Sequence, residues 1–143
     1  MINKLSVTSV WVLDKDEALD FYVNKLGLEK GQDFKQGEYR WLTVRVPGDP
    51  GIEISLEQPS PPVQDEATAA QLRELITKGA MGGVVFLTDD VRGLYETLKK
   101  RGVTDFTQEP TDHAYGTDMG VRDPFGNAIR ILKPKKVAHA AKA

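Results

Sequence analysis

The same order of features occurs twice along this chain, and this repeat restricts the possible folds more than any other property of the sequence. Each copy begins with a segment rich in β-branched residues. An aspartate suited to cap a helix follows, and a glycine later ends the helical spacing of apolar residues. These landmarks are 5–12, Asp14 and Gly27 in the first copy, and 83–88, Asp90 and Gly102 in the second. The repeat predicts two modules of one architecture.

Three more strands are predicted after each helix, because short alternations of apolar and polar residues are separated by turn residues. They lie at about 28–36, 39–46 and 51–57 in the first copy, and at about 104–108, 116–122 and 127–132 in the second. The segment 28–36 is polar enough to be a loop instead. The predicted fold class is therefore α+β, with two βαβββ modules forming a curved, open barrel-like sheet and the helices outside. We call the concave side of this predicted sheet the cup.

A proline-rich segment separates the two copies. Residues 59–65 contain three prolines, and apolar residues at helical spacing follow over 66–77. We therefore predict one domain with a linker inside it. Its parts are module 1 at about 1–58, linker and helix at 59–80, module 2 at about 81–133 and a tail at 134–143.

Composition narrows the classes of function. The formal net charge is −2, and no block of Lys and Arg lies within the two modules, so nucleic acid is not an expected partner. The chain has no cysteine, which excludes disulfides, thiol nucleophiles and cysteine-ligated zinc. No apolar run reaches the roughly 18 residues of a membrane helix, and no signal-peptide core follows Met1. We expect a cytoplasmic protein with no membrane partner.

Three motifs carry a family resemblance. They are the run WVLDKDEALDFY with the following KLGL, the run GVVFLTDDV, and the turn DPFGN at 123–127. In this order, around an internal repeat, they resemble the vicinal oxygen chelate superfamily, also called the glyoxalase/bleomycin resistance protein/extradiol dioxygenase family. The resemblance covers about 1–133. It implies paired βαβββ modules but no single reaction, because this family includes both enzymes and drug-sequestering proteins.

The resemblance also implies where a metal would bind. Enzymes of this family hold a divalent ion with side chains that correspond here to Val7, Glu53, Gly83 and Arg130. Only Glu53 is a metal ligand, and the fixed positive charge of Arg130 would repel the ion. Of the two histidines, His139 lies in the tail and His113 is predicted in a loop away from these strands. We therefore predict neither a metal site nor any other cofactor.

Strand alternation places a mixed set of aromatic, polar and charged residues on the side of each sheet that faces the cup. The predicted ligand-binding residues are Trp11, Trp41, Thr43, Glu53, Ser55, Tyr115, Asp118 and Arg130. Alternatives remain for several of them. The two tryptophans could be ordinary packing between the sheets, Tyr115 a rim residue and Asp118 a solvent-exposed residue. Arg130 could bind a ligand anion or form a structural ion pair with Glu53 across the cup. No catalytic residue is assigned.

These observations predict a glyoxalase/bleomycin-resistance-like protein that binds a small organic molecule of unknown identity without a metal. The alternative is a metal-dependent lyase, isomerase or dioxygenase of the same family. A third possibility is a cup filled by the protein's own side chains. Members of this family commonly form dimers, and unpaired sheet edges favour the same outcome, so we expect a homodimer.

Overall fold

The computed structural model describes residues 1–135. The predicted tail from 136 on, with His139, lies outside the described residues. The strands are β1 (Val7–Trp11), β2 (Glu29–Gln36), β3 (Tyr39–Arg45), β4 (Glu53–Glu57), β5 (Val84–Leu87), β6 (Phe106–His113), β7 (Gly116–Arg122) and β8 (Ala128–Pro134). The helices are α1 (Lys15–Leu19), which continues as π-helical turns over Asp20–Lys25, α2 (Glu66–Thr77) and α3 (Val91–Lys100).

Each module forms its own four-stranded mixed sheet. The strand order is β1-β4-β3-β2 in the first sheet and β5-β8-β7-β6 in the second. In both, the first and last strands of the module pair in parallel, and the other neighbours are antiparallel. The predicted α+β class with two βαβββ modules is therefore confirmed. The chain divides into two compact units, Met1–Gly82 with Asp123–Asn127, and Gly83–Arg122 with the described residues from Ala128 on.

The predicted helix caps are confirmed. The carboxylate of Asp14 accepts a hydrogen bond from the backbone N–H of Glu17 at 2.9 Å, and Asp90 accepts one from Gly93 at 2.9 Å. Each bond satisfies an N–H that the first helical turn leaves unpaired, which is why aspartate before an apolar-periodic segment marks a helix start. Helix α2 spans the residues predicted for it, 66–77.

One of the two polar edge strands differs from the sequence prediction. The segment 28–36 is a strand, β2, as predicted, with one register shift between Lys30 and Asp33, and the loop alternative is wrong. The strand predicted at 104–108 runs instead from 106 to 113, so the prediction of a loop around His113 is wrong. Edge strands have solvent on one side, so they need no apolar alternation and can include Pro110. This is why periodicity did not detect the second half of β6.

A buried hydrogen-bond network holds the turn between β7 and β8 within the first unit. The hydroxyl of Tyr22 donates to Asp123 Oδ2 at 2.7 Å, and Asn127 Nδ2 donates to the same oxygen at 2.8 Å. Asp123 Oδ1 accepts the backbone N–H groups of Phe125 and Asn127, both at 2.9 Å. Asn127 Nδ2 also donates to the carbonyl of Trp11 at 2.7 Å. Burial and the neighbouring carboxylate raise the pKa of Tyr22, so its hydroxyl remains a donor.

Replacing Tyr22 with Phe should destabilise the protein by about 1–3 kcal/mol, because it removes a hydrogen-bond donor from the buried carboxylate of Asp123. The free energy of unfolding in urea measures this change. Tyr95→Phe is the matched control, since the half-exposed Tyr95 hydroxyl donates only to Glu109 on the surface. Its effect should stay within about 0.5 kcal/mol. Equal effects of the two substitutions would contradict a stabilising role for the buried network.

Candidate functional site

The most concentrated polar cluster in the second unit surrounds Asp118, in the middle of β7. This carboxylate is 5% exposed, so the alternative of a solvent-exposed residue is wrong. Four side chains contact it. Arg130 Nη2 donates to Oδ2 at 2.6 Å and the Tyr115 hydroxyl donates to Oδ2 at 3.0 Å. Gln108 Nε2 donates to Oδ1 at 2.9 Å, and His113 Nε2 lies 3.0 Å from Oδ1. We call these five residues the Asp118 cluster.

The charge state of Asp118 follows from these contacts. Burial alone would raise the pKa of this carboxyl, but the hydrogen bonds from Arg130, Tyr115 and Gln108 and the charge of Arg130 outweigh it, and the pKa is lowered. Asp118 is therefore ionised at neutral pH. The pKa of Tyr115 is raised, by desolvation and by its bond to Asp118, so its hydroxyl stays protonated and donates.

Arg130 is held in place but not enclosed. Its side chain is 36% exposed. Its hydrogen bonds to Asp118 and to Gln108 Oε1, the latter at 3.2 Å, both use Nη2. The guanidinium lies over Gly120, where a Cβ would come within 2.7 Å of Nη1. The absent side chain at Gly120 is what makes room for the guanidinium.

Apolar side chains border this guanidinium on the same face of the sheet. Val85 pairs with Arg130 in the strand register, and Leu87 pairs with Leu132. Residues paired across neighbouring strands share a face, so these side chains lie beside the Asp118 cluster. Val85 and Leu87 are 63% and 68% exposed. An aromatic surface adds to them, because the rings of His113 and Tyr115 stack with centroids 4.8 Å apart and an interplanar angle of 9°.

The first unit has its own polar cluster, around Glu53 on β4. Thr43 Oγ1 donates to Glu53 Oε1 at 2.6 Å, and Gln32 Nε2 donates to the same oxygen at 3.0 Å. Arg45 Nη1 lies 3.6 Å from Glu53 Oε2. The bond from Thr43 contributes most to lowering the pKa of Glu53, and the bonds from Gln32 and Arg45 add to it. Glu53 is therefore ionised at neutral pH and is a weak base.

The remaining predicted residues of the first unit lie on the same face. The hydroxyls of Ser9 and the buried Ser55 are hydrogen-bonded at 2.8 Å. The indole N–H of Trp41 donates to Gln32 Oε1 at 3.3 Å, so this ring is tied to the Glu53 cluster through Gln32. Trp11 on β1 is half-buried and lies two positions along the strand from Ser9. The buried hydroxyls of Thr43 and Ser55, beside two partly exposed indole rings, form a surface that can contact a flat organic ligand.

The residues at the four positions where relatives bind a metal do not fit a divalent ion. Val7 and Gly83 have no donor atom, and Gly83 lies so close to β8 that a Cβ there would meet the carbonyl oxygen of Ala128 at 1.5 Å. No ligand side chain fits at 83 without movement of the backbone. Arg130 is a fixed cation. Within residues 1–135 no group of three or more His, Asp and Glu side chains is placed to hold a metal ion.

Strand register also shows that Glu53 and Arg130 do not occupy corresponding positions in the two modules. Glu53 pairs with Val7, whereas Arg130 pairs with Val85, two residues further along its strand than Gly83. The residue of the first module that corresponds to Arg130 is therefore Ser55. Each charge has an ion-pair partner in its own sheet, Arg45 for Glu53 and Asp118 for Arg130. The predicted pair between Glu53 and Arg130 stays a prediction.

The eight predicted ligand residues fall into two groups. Trp11, Trp41, Thr43, Glu53 and Ser55 share a face in the first unit, and Tyr115, Asp118 and Arg130 are directly bonded in the second. Sequence reasoning placed His113 in a loop because the edge strand β6 was predicted too short, and it missed Gln108, which lies within the predicted strand. Their spacing from Asp118 across a short hairpin would have been the signal that linked them.

Comparisons with known proteins agree with this architecture. A family model described as the Glyoxalase/Bleomycin resistance protein/Dioxygenase superfamily matches residues 4–131. The uncharacterized protein YurT of Bacillus subtilis (strain 168) is 37% identical over 131 residues, which cover 91% of this chain and 98% of YurT.

No helix within the described residues is long and apolar enough to cross a bilayer.

Two solved structures extend the comparison. The crystal structure of UcmS2 is 42% identical, with a TM-score of 0.86, over 92% of this chain and 98% of that one. TnmS3, described as an antibiotic binding protein from Streptomyces sp. CB03234, is 28% identical with a TM-score of 0.74, over 94% of this chain and 98% of that one. On this sequence match and this repeated βαβββ architecture, the chain belongs to the glyoxalase/bleomycin resistance protein/dioxygenase superfamily.

Proposed function

We propose that this protein binds small, flat organic molecules that carry an anionic group, without using a metal ion. The anionic ligand would contact the face of the second unit that holds the Asp118 cluster. The proposed class of ligand includes antibiotics, since TnmS3, a similar protein, is described as antibiotic-binding. Simple aromatic acids are suitable probes, because they combine a flat ring with an anionic group.

The observation that supports this proposal most strongly is the state of Arg130. A buried, ionised carboxylate orients the guanidinium before any ligand arrives, while 36% of the Arg130 side chain stays exposed. Preorganisation of this kind lowers the entropy lost on binding. A held arginine donates to carboxylate, sulfonate or phosphate groups through charge-assisted hydrogen bonds.

The apolar part of the ligand has candidate contacts in both units. In the second unit these are the exposed Val85 and Leu87 and the stacked rings of His113 and Tyr115. In the first unit the tryptophans offer flat surfaces beside buried hydroxyls. Ligand sites commonly combine apolar area with a few oriented polar groups, and both faces have that combination.

Arg130→Ala should weaken the binding of 2-naphthoate by roughly 10- to 100-fold, because a hydrogen bond to a charged group contributes about 1.5–3 kcal/mol and 1.4 kcal/mol corresponds to a factor of ten. Binding of the neutral 2-naphthamide should change less than about threefold, since its contacts are apolar. Isothermal titration calorimetry measures both affinities.

Arg92→Ala is the matched control for that experiment. It removes the same charge from an exposed position on α3, where Arg92 pairs with Asp112 on the surface, and it should leave both affinities unchanged. Arg130→Gln covers the case in which Ala destabilises the fold, because its amide can still donate to Asp118. Unchanged naphthoate affinity in a folded Arg130 variant would refute the anion-binding role.

The second candidate function is a metal-dependent lyase, isomerase or dioxygenase of the same superfamily. The donor set argues against it, and a direct measurement separates the two. Purified protein should contain no stoichiometric Ni, Zn, Mn or Fe by elemental analysis. Addition of each ion should not raise the melting temperature, because a ligand stabilises a fold only by binding it. A saturable thermal shift that Glu53→Gln abolishes would favour the metal-dependent function instead.

The proposal includes a homodimer in the cytoplasm. In each four-stranded sheet, the two outer strands have one edge without a hydrogen-bonded partner strand in that sheet. Exposed apolar side chains also lie on β5. Light scattering after size-exclusion chromatography should give twice the mass of one chain. The pair Val85→Thr and Leu87→Thr should shift that mass toward one chain if this face is in the interface, whereas Leu75→Thr on α2 should not. A monomeric mass for the unaltered protein would contradict this part of the proposal.

A further inference from the structure

The side chain of Lys15, the first residue of α1, packs against the start of β3. Its Nζ donates a hydrogen bond to the backbone carbonyl of Arg40 and lies 4.7 Å from the centroid of the Tyr39 ring. The Tyr39 hydroxyl in turn donates to both carboxylate oxygens of Glu57, at 3.0 and 2.9 Å. Lys15 is half-buried, whereas lysines in folded proteins are mostly exposed. A backbone carbonyl and an aromatic face therefore hold this amine in a defined place.

The surroundings of this amine favour its neutral form. Burial lowers the pKa of Lys15, and the neighbouring charge of Arg40 acts in the same direction. The carboxylates of Glu57 and Asp33 oppose this shift without cancelling it. Only a neutral amine has a lone pair with which to attack a carbonyl carbon. At a given pH, a larger fraction of Lys15 than of an ordinary lysine is therefore a nucleophile.

A cavity of about 330 Å³ adjoins this amine within the first unit. Lys15, Tyr39 and Arg40 all line it, and Nζ contacts the other two residues of this wall, so the amine borders the cavity. Ser60 and Pro61, from the segment that follows β4, also line it. A cavity of about 150 Å³ is enough to hold benzene, so this space can admit a molecule with one aromatic ring and a small substituent.

The charges around the cavity select against anions. The carboxylates of Asp14, Asp16 and Glu38 line it. The guanidinium of Arg40 already binds carboxylates through all three of its nitrogens. Its Nε and Nη2 donate to Asp33 at 2.9 and 3.0 Å, and its Nη1 donates to Asp16 at 2.7 Å. An entering anion would be repelled by the lining carboxylates, so the reaction partners that suit this amine are neutral.

We infer that Lys15 is a covalent binding site for neutral aromatic aldehydes, which enter this cavity and form a reversible imine with its amine. Imine formation with carbonyl compounds is the characteristic covalent chemistry of a desolvated lysine. The inference goes beyond the proposed anion binding, because it uses none of the residues of the Asp118 cluster. It therefore stands or falls independently of the role of Arg130.

The reaction releases one water and needs no other reactant. The lone pair of Nζ attacks the aldehyde carbon, and the carbonyl π pair moves onto the oxygen, which takes a proton from the nitrogen to give a carbinolamine. This oxygen takes a second proton from solvent and leaves as water, while the nitrogen lone pair forms the C=N bond. The product is a protonated imine, whose positive charge keeps the favourable contact with the Tyr39 ring. Hydrolysis is the same sequence in reverse.

Lys99 provides a matched comparison within the same protein. Its Nζ lies 4.5 Å from the centroid of the Tyr95 ring, whose hydroxyl donates to Glu109, so it repeats the lysine–tyrosine–glutamate arrangement on the surface. The side chain of Lys99 is 45% exposed, and its bond to Glu96 raises its pKa. Lys99 is not among the residues that line the cavity. A difference in reactivity between the two lysines therefore reports burial and the cavity rather than the neighbouring ring.

Benzaldehyde with sodium cyanoborohydride is the probe, because reduction converts the imine to a stable benzylamine that peptide mass spectrometry locates. At neutral pH, Lys15 should be modified roughly tenfold faster than Lys99 or more, and its rate should level off as the benzaldehyde concentration rises, as for a bound reactant. As the pH is raised, the rate at Lys15 should increase before the rate at Lys99, since the pKa is lowered at Lys15 and raised at Lys99. Equal rates at the two lysines, each proportional to concentration, would overturn the inference.

Two variants test the cavity without altering Lys15. Ser60→Phe places a ring at the cavity wall and should bring the rate at Lys15 down toward that of Lys99. With the anionic 4-formylbenzoate, the ratio of the Lys15 rate to the Lys99 rate should fall below its value for benzaldehyde. Glu38→Gln should restore part of that ratio, whereas Glu74→Gln on the exposed surface of α2 should not. An equal ratio for both aldehydes, or an unchanged Lys15 rate in Ser60→Phe, overturns the assignment of this cavity.

Discussion

The hydrogen bonds of Asp123 are the constraint on which the second half of the molecule depends. Its two oxygens accept from Tyr22, from the side chain of Asn127 and from two backbone N–H groups of the turn. This fixes where β8 begins, and the strand register then places Arg130 opposite Gly120. A shift of one residue would send Arg130 to the buried face of the sheet, so a turn far from any ligand determines which side chain reaches Asp118.

The two modules share a topology but have different chemistry on corresponding faces. The first presents an ionised Glu53 held by neutral donors and by Arg45, beside partly exposed indoles. The second presents a guanidinium held by a buried carboxylate, with a histidine on its other side. In each sheet the buried charge is compensated by partners from neighbouring strands of that sheet. Such compensation is necessary because an unpaired charge is costly to bury.

Much of the candidate site was accessible from the sequence, but the relation between its residues was not. Alternation of side chains along a strand predicted that Asp118 and Arg130 face the ligand, and the positive charge of Arg130 predicted an anionic partner, either a ligand or Glu53. The actual partner, Asp118, lies on the neighbouring strand, and strand pairing is a tertiary property. His113 was predicted in a loop because the second half of the edge strand β6 has no apolar periodicity to mark it.

The sequence by itself determined the local structure and the repeat. Asp14 and Asp90 start their helices through side-chain bonds made within three residues, and the alternation of β-branched residues marks the central strands whichever partner they take. Only the tertiary structure decided the protonation states and the orientation of the functional groups. The lowered pKa of Asp118, the space over Gly120 and the contact of His113 Nε2 with Asp118 all depend on atoms brought together from three strands. Local propensities act over a few residues, whereas desolvation and charge pairing act through space, so no linear pattern records them.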